Sequence, residues 1–162
     1  MEKKIPKKNY IIVALISIFT ILLTLFLMNK YNSNKTSENI TFVSEIKENE
    51  LNNYVTERQE VIIYMSSSTN ENIKELENDL EKYTKKKNLK DEYVYLDLSK
   101  VDSNFYNEFY INYLNESYTG KFKIEEPSLI IIRNGKVESY LNKINNINQI
   151  KLFFEKNGVL EW

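Results

Sequence analysis

Tyr10 to Met28, YIIVALISIFTILLTLFLM, is a run of 19 residues without a charge. It constrains the rest of the chain more than any other feature. At 1.5 Å rise per residue, a helix of that length spans roughly 28 Å, close to the hydrocarbon thickness of a bilayer. A cleavable signal peptide has a shorter apolar region, about 7–15 residues, ending in small residues. Met28-Asn29-Lys30 supplies no such site. The run is therefore expected to be an uncleaved signal anchor, a single N-terminal transmembrane helix.

The flanks set an orientation. Lys3, Lys4, Lys7 and Lys8 precede the run, while only Lys30 and Lys35 closely follow it. By the positive-inside rule the N-terminus is expected in the cytoplasm and everything after the run outside it. The organisation this implies is a cytoplasmic basic tail at 1–9, a transmembrane anchor at 10–28, a polar tether at 29–39 and one domain at 40–162. The tether, NKYNSNKTSEN, lacks apolar periodicity and reads as flexible. About 120 residues are enough for one compact domain with one core. The expected location is the cell membrane, single-pass, with the domain extracytoplasmic.

Two absences bound the chemistry. The chain contains no Cys and no His. It therefore has no disulfide and no thiolate nucleophile, and the usual zinc sites, which need Cys or His, are excluded. A general base is limited to Asp, Glu, Lys or Tyr, and no metal or other cofactor is expected. Beyond residue 30 the chain carries 17 Lys and Arg against 22 Asp and Glu, a net charge of −5. That balance opposes nucleic-acid binding, which needs a concentrated basic face.

Apolar periodicity then places the elements. Ile40 to Ile46 reads as a short strand with Phe42 and Ile46 on one face. Leu51, Tyr54 and Val55 recur at helical spacing within Glu48 to Glu57. Val61 to Met65 is a short β-branched apolar run, as expected of a central strand buried on both faces. A polar loop, Ser66 to Thr69, precedes an amphipathic helix over Asn70 to Asn88, with Ile73, Leu76, Leu80 and Tyr83 on one side and Thr69 or Asn70 as its cap. Tyr93 to Leu98 is a strand, Ser103 to Leu114 a helix capped by Asp102 or Ser103, and Ser128 to Arg133 a buried strand. Asn134-Gly135 is a strong hairpin signal, because both central turn positions need positive φ. Lys136 to Leu141 returns as the partner strand, and Asn146 to Asn157 is a last helix closed by Gly158. The predicted order is β-α-β-α-β-α-β-β-α.

This order, together with Pro127-Ser-Leu-Ile-Ile-Ile-Arg-Asn-Gly-Lys-Val137 and the closing segment Asn148 to Phe154, resembles the thioredoxin-like family over residues 40 to 160. The similar members are small, membrane-tethered or secreted proteins of Gram-positive bacteria, including the bacteriocin-transport accessory type. The resemblance implies an α/β, three-layer fold with a central mixed sheet. It also implies a cis bond before Pro127, the only proline after the anchor; a trans proline that merely opens a strand is the sterically ordinary alternative.

The family's Cys-x-x-Cys motif sits where the first long helix begins. Aligning Leu76 and Leu80 with that helix puts the two positions at Asn70 and Ile73; a placement one turn earlier puts them at Ser66 and Thr69. Neither placement holds sulfur, so the family's redox activity does not carry over and the chain is expected not to be an enzyme. Strand-like capture of a peptide needs only backbone groups and survives loss of the thiols. The resemblance implies a cleft made of Ser66, Ser67, Ser68, Thr69, Glu126 and Pro127. The expected function is non-catalytic binding of an extracytoplasmic peptide or protein. The alternative is a structural accessory or remnant subunit of an export or redox system, with nothing in the old cleft.

Overall fold

The computed structural model describes residues 16–25, 40, 42–118 and 120–159. It divides into an N-terminal unit, Met1–Thr36, and a second unit, Ser37–Trp162. In the first, residues 16–25 are helical and exposed (α1). Among the described residues no helix is long and apolar enough to cross a membrane. Positions 10–15 and 26–28 of the expected span, the basic tail at 1–9 and the tether at 29–39 lie outside the described residues.

The second unit follows the predicted order. Its strands are β1 (Ser44–Glu45), β2 (Glu60–Ser66), β3 (Val94–Asp97), β4 (Ser128–Arg133) and β5 (Lys136–Leu141). Its helices are α2 (Glu48–Thr56), α3 (Lys74–Lys87), α4 (Phe105–Tyr113) and α5 (Ile147–Lys156). The strands form one mixed sheet in the order β1-β3-β2-β4-β5. β3 runs parallel to both β1 and β2, whereas β4 is antiparallel to β2 and β5.

Alternation along the two central strands divides the core. Ile62 and Tyr64 of β2, with Leu129 and Ile131 of β4, face Leu76, Leu80 and Tyr83 of α3 and Ile150, Phe153 and Phe154 of α5. Ile63 and Met65, with Ile130 and Ile132, face Leu51 and Val55 of α2 and Phe105, Phe109 and Tyr113 of α4. Helices thus cover both sheet faces, which is why β2 and β4 read as continuous apolar runs rather than alternating ones.

Local signals explain most boundaries. Asn134 and Gly135 take φ of +52° and +76° in the β4–β5 turn, as the hairpin requires. Asn146 caps α5, its Oδ1 accepting from the N–H groups of Asn148 and Gln149, while the Gln149 side chain reaches back to the Asn146 N–H. That reciprocal pattern is a capping box. Asp102 Oδ1 accepts from the Asn104 N–H before α4 at 2.9 Å.

Two expectations are corrected. The first strand is only Ser44–Glu45, so Phe42 and Ile46 do not share a face: Phe42 packs with the α3/α5 side and Ile46 with the α2/α4 side. Strand alternation cannot be extended into a segment that makes no ladder. The helix expected from Asn70 begins instead with a 3₁₀ turn, Glu71–Ile73, and becomes α-helical at Lys74. Asn70 Oδ1 caps that turn through the Asn72 N–H at 3.1 Å, and tight 3₁₀ turns are common at helix ends. At the other end Asn88 takes φ of +56° and closes α3.

Candidate functional site

β2 ends at Ser66, a fully buried residue on the α3 side of the sheet. Its hydroxyl donates to Glu77 Oε1 at 2.9 Å, and its carbonyl accepts from the Tyr95 hydroxyl at 3.2 Å. Glu77 is only 8% exposed. Burial raises the pKa of its carboxyl above the ordinary glutamate range; the Ser66 bond partly offsets this, and nearby Asp97 adds to it.

The loop beyond Ser66 is tied to β3. Asp97 Oδ1 accepts from the Ser68 N–H at 3.0 Å, the Ser99 N–H at 3.0 Å and the Ser99 hydroxyl at 2.7 Å. Lys100 Nζ lies 3.2 Å from the other oxygen of that carboxylate. Burial pushes Asp97 upward, but the hydrogen bonds from Ser68 and Ser99 outweigh it and hold the carboxyl at about 2. Ser67 and Thr69 bond each other at 2.7 Å, and Ser68 bonds Ser99 at 2.9 Å. These hydroxyls hold the loop together.

A cleft of about 430 Å³ opens beside this loop. Asn70 and Ile73, at the start of the helix, line it together with Glu126 and Pro127 from the segment before β4 and Ile144 to Ile147 from the segment before α5. The Glu126–Pro127 bond is cis. Pro127 is buried and Glu126 exposed. The carbonyls on either side of Glu126 are occupied: Glu125 O accepts from the Lys143 N–H and Pro127 O from the Ile144 N–H, each at 3.0 Å. Among the described residues, neither the N–H nor the C=O of Glu126 has a hydrogen-bond partner.

The structure therefore brings together Asn70, Ile73, Glu126 and Pro127. It does not bring Ser66, Ser67, Ser68 or Thr69 to the cleft lining; Ser66 lies behind it, under α3. Sequence reasoning missed Glu77, Asp97 and the wall from Ile144 to Ile147. Glu77 had a signal: it stands four residues after Ile73 and three before Leu80, on the apolar face of the helix. Tyr93, Tyr95 and Tyr113 are buried in the core. Among the described residues no group of acidic side chains is arranged to hold a metal ion.

No protein-family model matches the chain, and no curated protein matches it by sequence. Solved structures match its fold. A thioredoxin f2 from Chlamydomonas reinhardtii superposes with a TM-score of 0.50 at 10% identity, covering 71% of this chain and 95% of that one. Mitochondrial thioredoxin 3 from Saccharomyces cerevisiae gives 0.47 at 11% identity, with 72% and 97% covered. A thioredoxin from Plasmodium falciparum gives 0.46 at 16% identity, with 70% and 98% covered. Identities this low speak for the fold alone, and the chain has the α/β thioredoxin fold, built on a mixed five-stranded sheet and carrying no cysteine.

Proposed function

We propose that this chain is a non-catalytic, membrane-tethered thioredoxin-fold module that captures an extended segment of a protein or peptide outside the cytoplasm. The observation that carries the reading is the exposed Glu126, whose backbone N–H and C=O have no partner among the described residues and stand at the rim of an apolar-floored cleft. Such an edge pairs with an incoming strand through main-chain hydrogen bonds, without any thiol. The absence of Cys removes the exchange chemistry usually associated with this position. The uncharged run from Tyr10 to Met28 and the lysines before it support the tether and its orientation.

The test is site-specific photocrosslinking in the full chain, in its native membrane. A photoreactive residue at position 126 is expected to give a discrete adduct with one partner. The same residue at position 111, on α4 across the sheet and 77% exposed as Ile111, is expected to give none. Equal or absent labelling at both positions overturns binding at the cleft and leaves a structural accessory subunit as the reading.

A further inference from the structure

The cleft at Pro127 does not end at Asn146. It continues into a second groove of about 480 Å³ between α3 and α5, and the two share Asp79 and Ile147. Their charges are opposite. The Pro127 cleft has Glu75, Asp79 and Glu126 in its lining and no Lys or Arg. The second groove has Lys82, Lys86, Lys87 and Lys151, with Glu155 as its one acid besides the shared Asp79.

Internal pairing leaves this polarity in place. Asp79 and Lys82 bond each other at 3.0 Å and make the middle of the groove neutral. Lys151 Nζ lies 5.6 Å from the centroid of the Tyr83 ring and donates to Asn148 Oδ1 at 3.3 Å, keeping its charge. Among the described residues, Glu75, Glu126, Lys86 and Lys87 have no ion-pair partner.

The helix dipole accounts for part of the pattern, since α3 carries acids in its first turn and lysines in its last. It does not account for Glu126, which comes from the segment before β4, or for Lys151, which comes from α5. Each reinforces the sign already present at its end of the groove. Glu75 and Lys86 are eleven residues apart on α3, or about 16 Å along a helix. An extended chain covers that distance in about five residues at roughly 3.3 Å each.

Resting on the reading of the Pro127 cleft as a peptide site, we infer that the groove selects an extended peptide of segregated charge: a cationic side chain at the Pro127 end and an acidic one about five residues away, over Lys86 and Lys87. Apolar side chains between them meet Ile73, Leu76, Ile144 and Ile147 on the floor.

The experiment uses the full chain in a neutral detergent and fluorescent nine-residue peptides on one Ser/Leu background. The set contains lysines and glutamates separated by five positions in both orders, all-lysine, all-glutamate and uncharged versions, each read by anisotropy and each also carrying a photocrosslinker. One charge-split order is expected to bind about tenfold more tightly than the uncharged peptide, and to lose that advantage in high salt. Glu126→Lys, or Lys86→Glu with Lys87→Glu, is expected to weaken it about three- to tenfold. Combining all three substitutions is expected to invert the preferred order, a gain that damage to the fold cannot imitate. Peptides that bind equally whatever their charge arrangement, yet crosslink beside position 126, overturn the charge selection while the peptide site stands. Peptides that never reach position 126 overturn both.

Discussion

The Ser66 hydroxyl, at the last residue of β2, donates to Glu77 Oε1 on α3 at 2.9 Å, and both side chains are buried. This bond fastens the central strand to the helix whose start forms one wall of the cleft. Burial is the main influence on Glu77, and it favours the protonated carboxyl. With the folded-state pKa raised above the ordinary 4.5, the protonated carboxyl's contribution is complete below that value and is lost as pH rises through the folded one. Glu77→Gln keeps an acceptor for Ser66 and never ionises. Its stability relative to the parent, measured by urea unfolding from pH 4 to pH 8, is expected to improve as pH rises above 4.5 and to level off once the folded-state carboxyl has ionised. A relative loss with rising pH would show that Glu77 is held as an anion.

Asp97 behaves in the opposite sense. Its folded-state pKa of about 2 lies below the ordinary 3.8, so its stabilisation is present above pH 4 and disappears as pH falls through about 2. The difference corresponds to about 2 kcal/mol. Asp97→Asn is expected to cost about that much at pH 7 and little near pH 2, measured by denaturant titration. An equal cost at both values would attribute the loss to packing rather than charge.

Asn70 and Ile73 bracket the first turn of the helix and line the cleft beside Pro127, whereas Ser66 is sealed under α3. The parent chain is expected to reduce insulin no faster than buffer, having no thiol to exchange. Asn70→Cys with Ile73→Cys is expected to give a reversible disulfide and weak turnover, because a thiol at a helix start is acidified by the helix dipole. Ser66→Cys with Thr69→Cys is expected to stay inert. Turnover from the second pair alone would move the site one turn earlier.

The tether reading makes a topological prediction. A tag after residue 162 is expected to be removed by protease added to intact cells, and a tag before residue 1 is expected to be protected. The chain is also expected to remain in the membrane fraction after an alkaline carbonate wash. The reverse protection pattern, or release into the wash, overturns the orientation or the anchor.

Much of the fold was legible in the order of residues. The apolar runs at Val61–Met65 and Leu129–Ile132, the hairpin at Asn134-Gly135 and the periodic segment before Gly158 became the elements they announced. These signals work because periodicity and turn chemistry are properties of contiguous residues. The two-residue β1 was not legible, because Ile40 to Ile46 has the composition of a longer strand and only its pairing with β3 decides how much joins the ladder.

The sequence by itself determined what the domain is unable to do: a chain without Cys has no thiol to exchange, whatever its conformation. It also determined the α/β order and the two opposed apolar faces of each central strand. Only the tertiary structure decided that Asn70 and Ile73 meet Glu126 and Pro127, more than fifty residues away, and that Ser66 does not. Only it decided that, among the acids of the described residues, Glu77 and Asp97 are the ones withdrawn from water. Convergence and desolvation arise from the packing of α3 and α5 against the sheet, and no window of neighbouring residues contains that information.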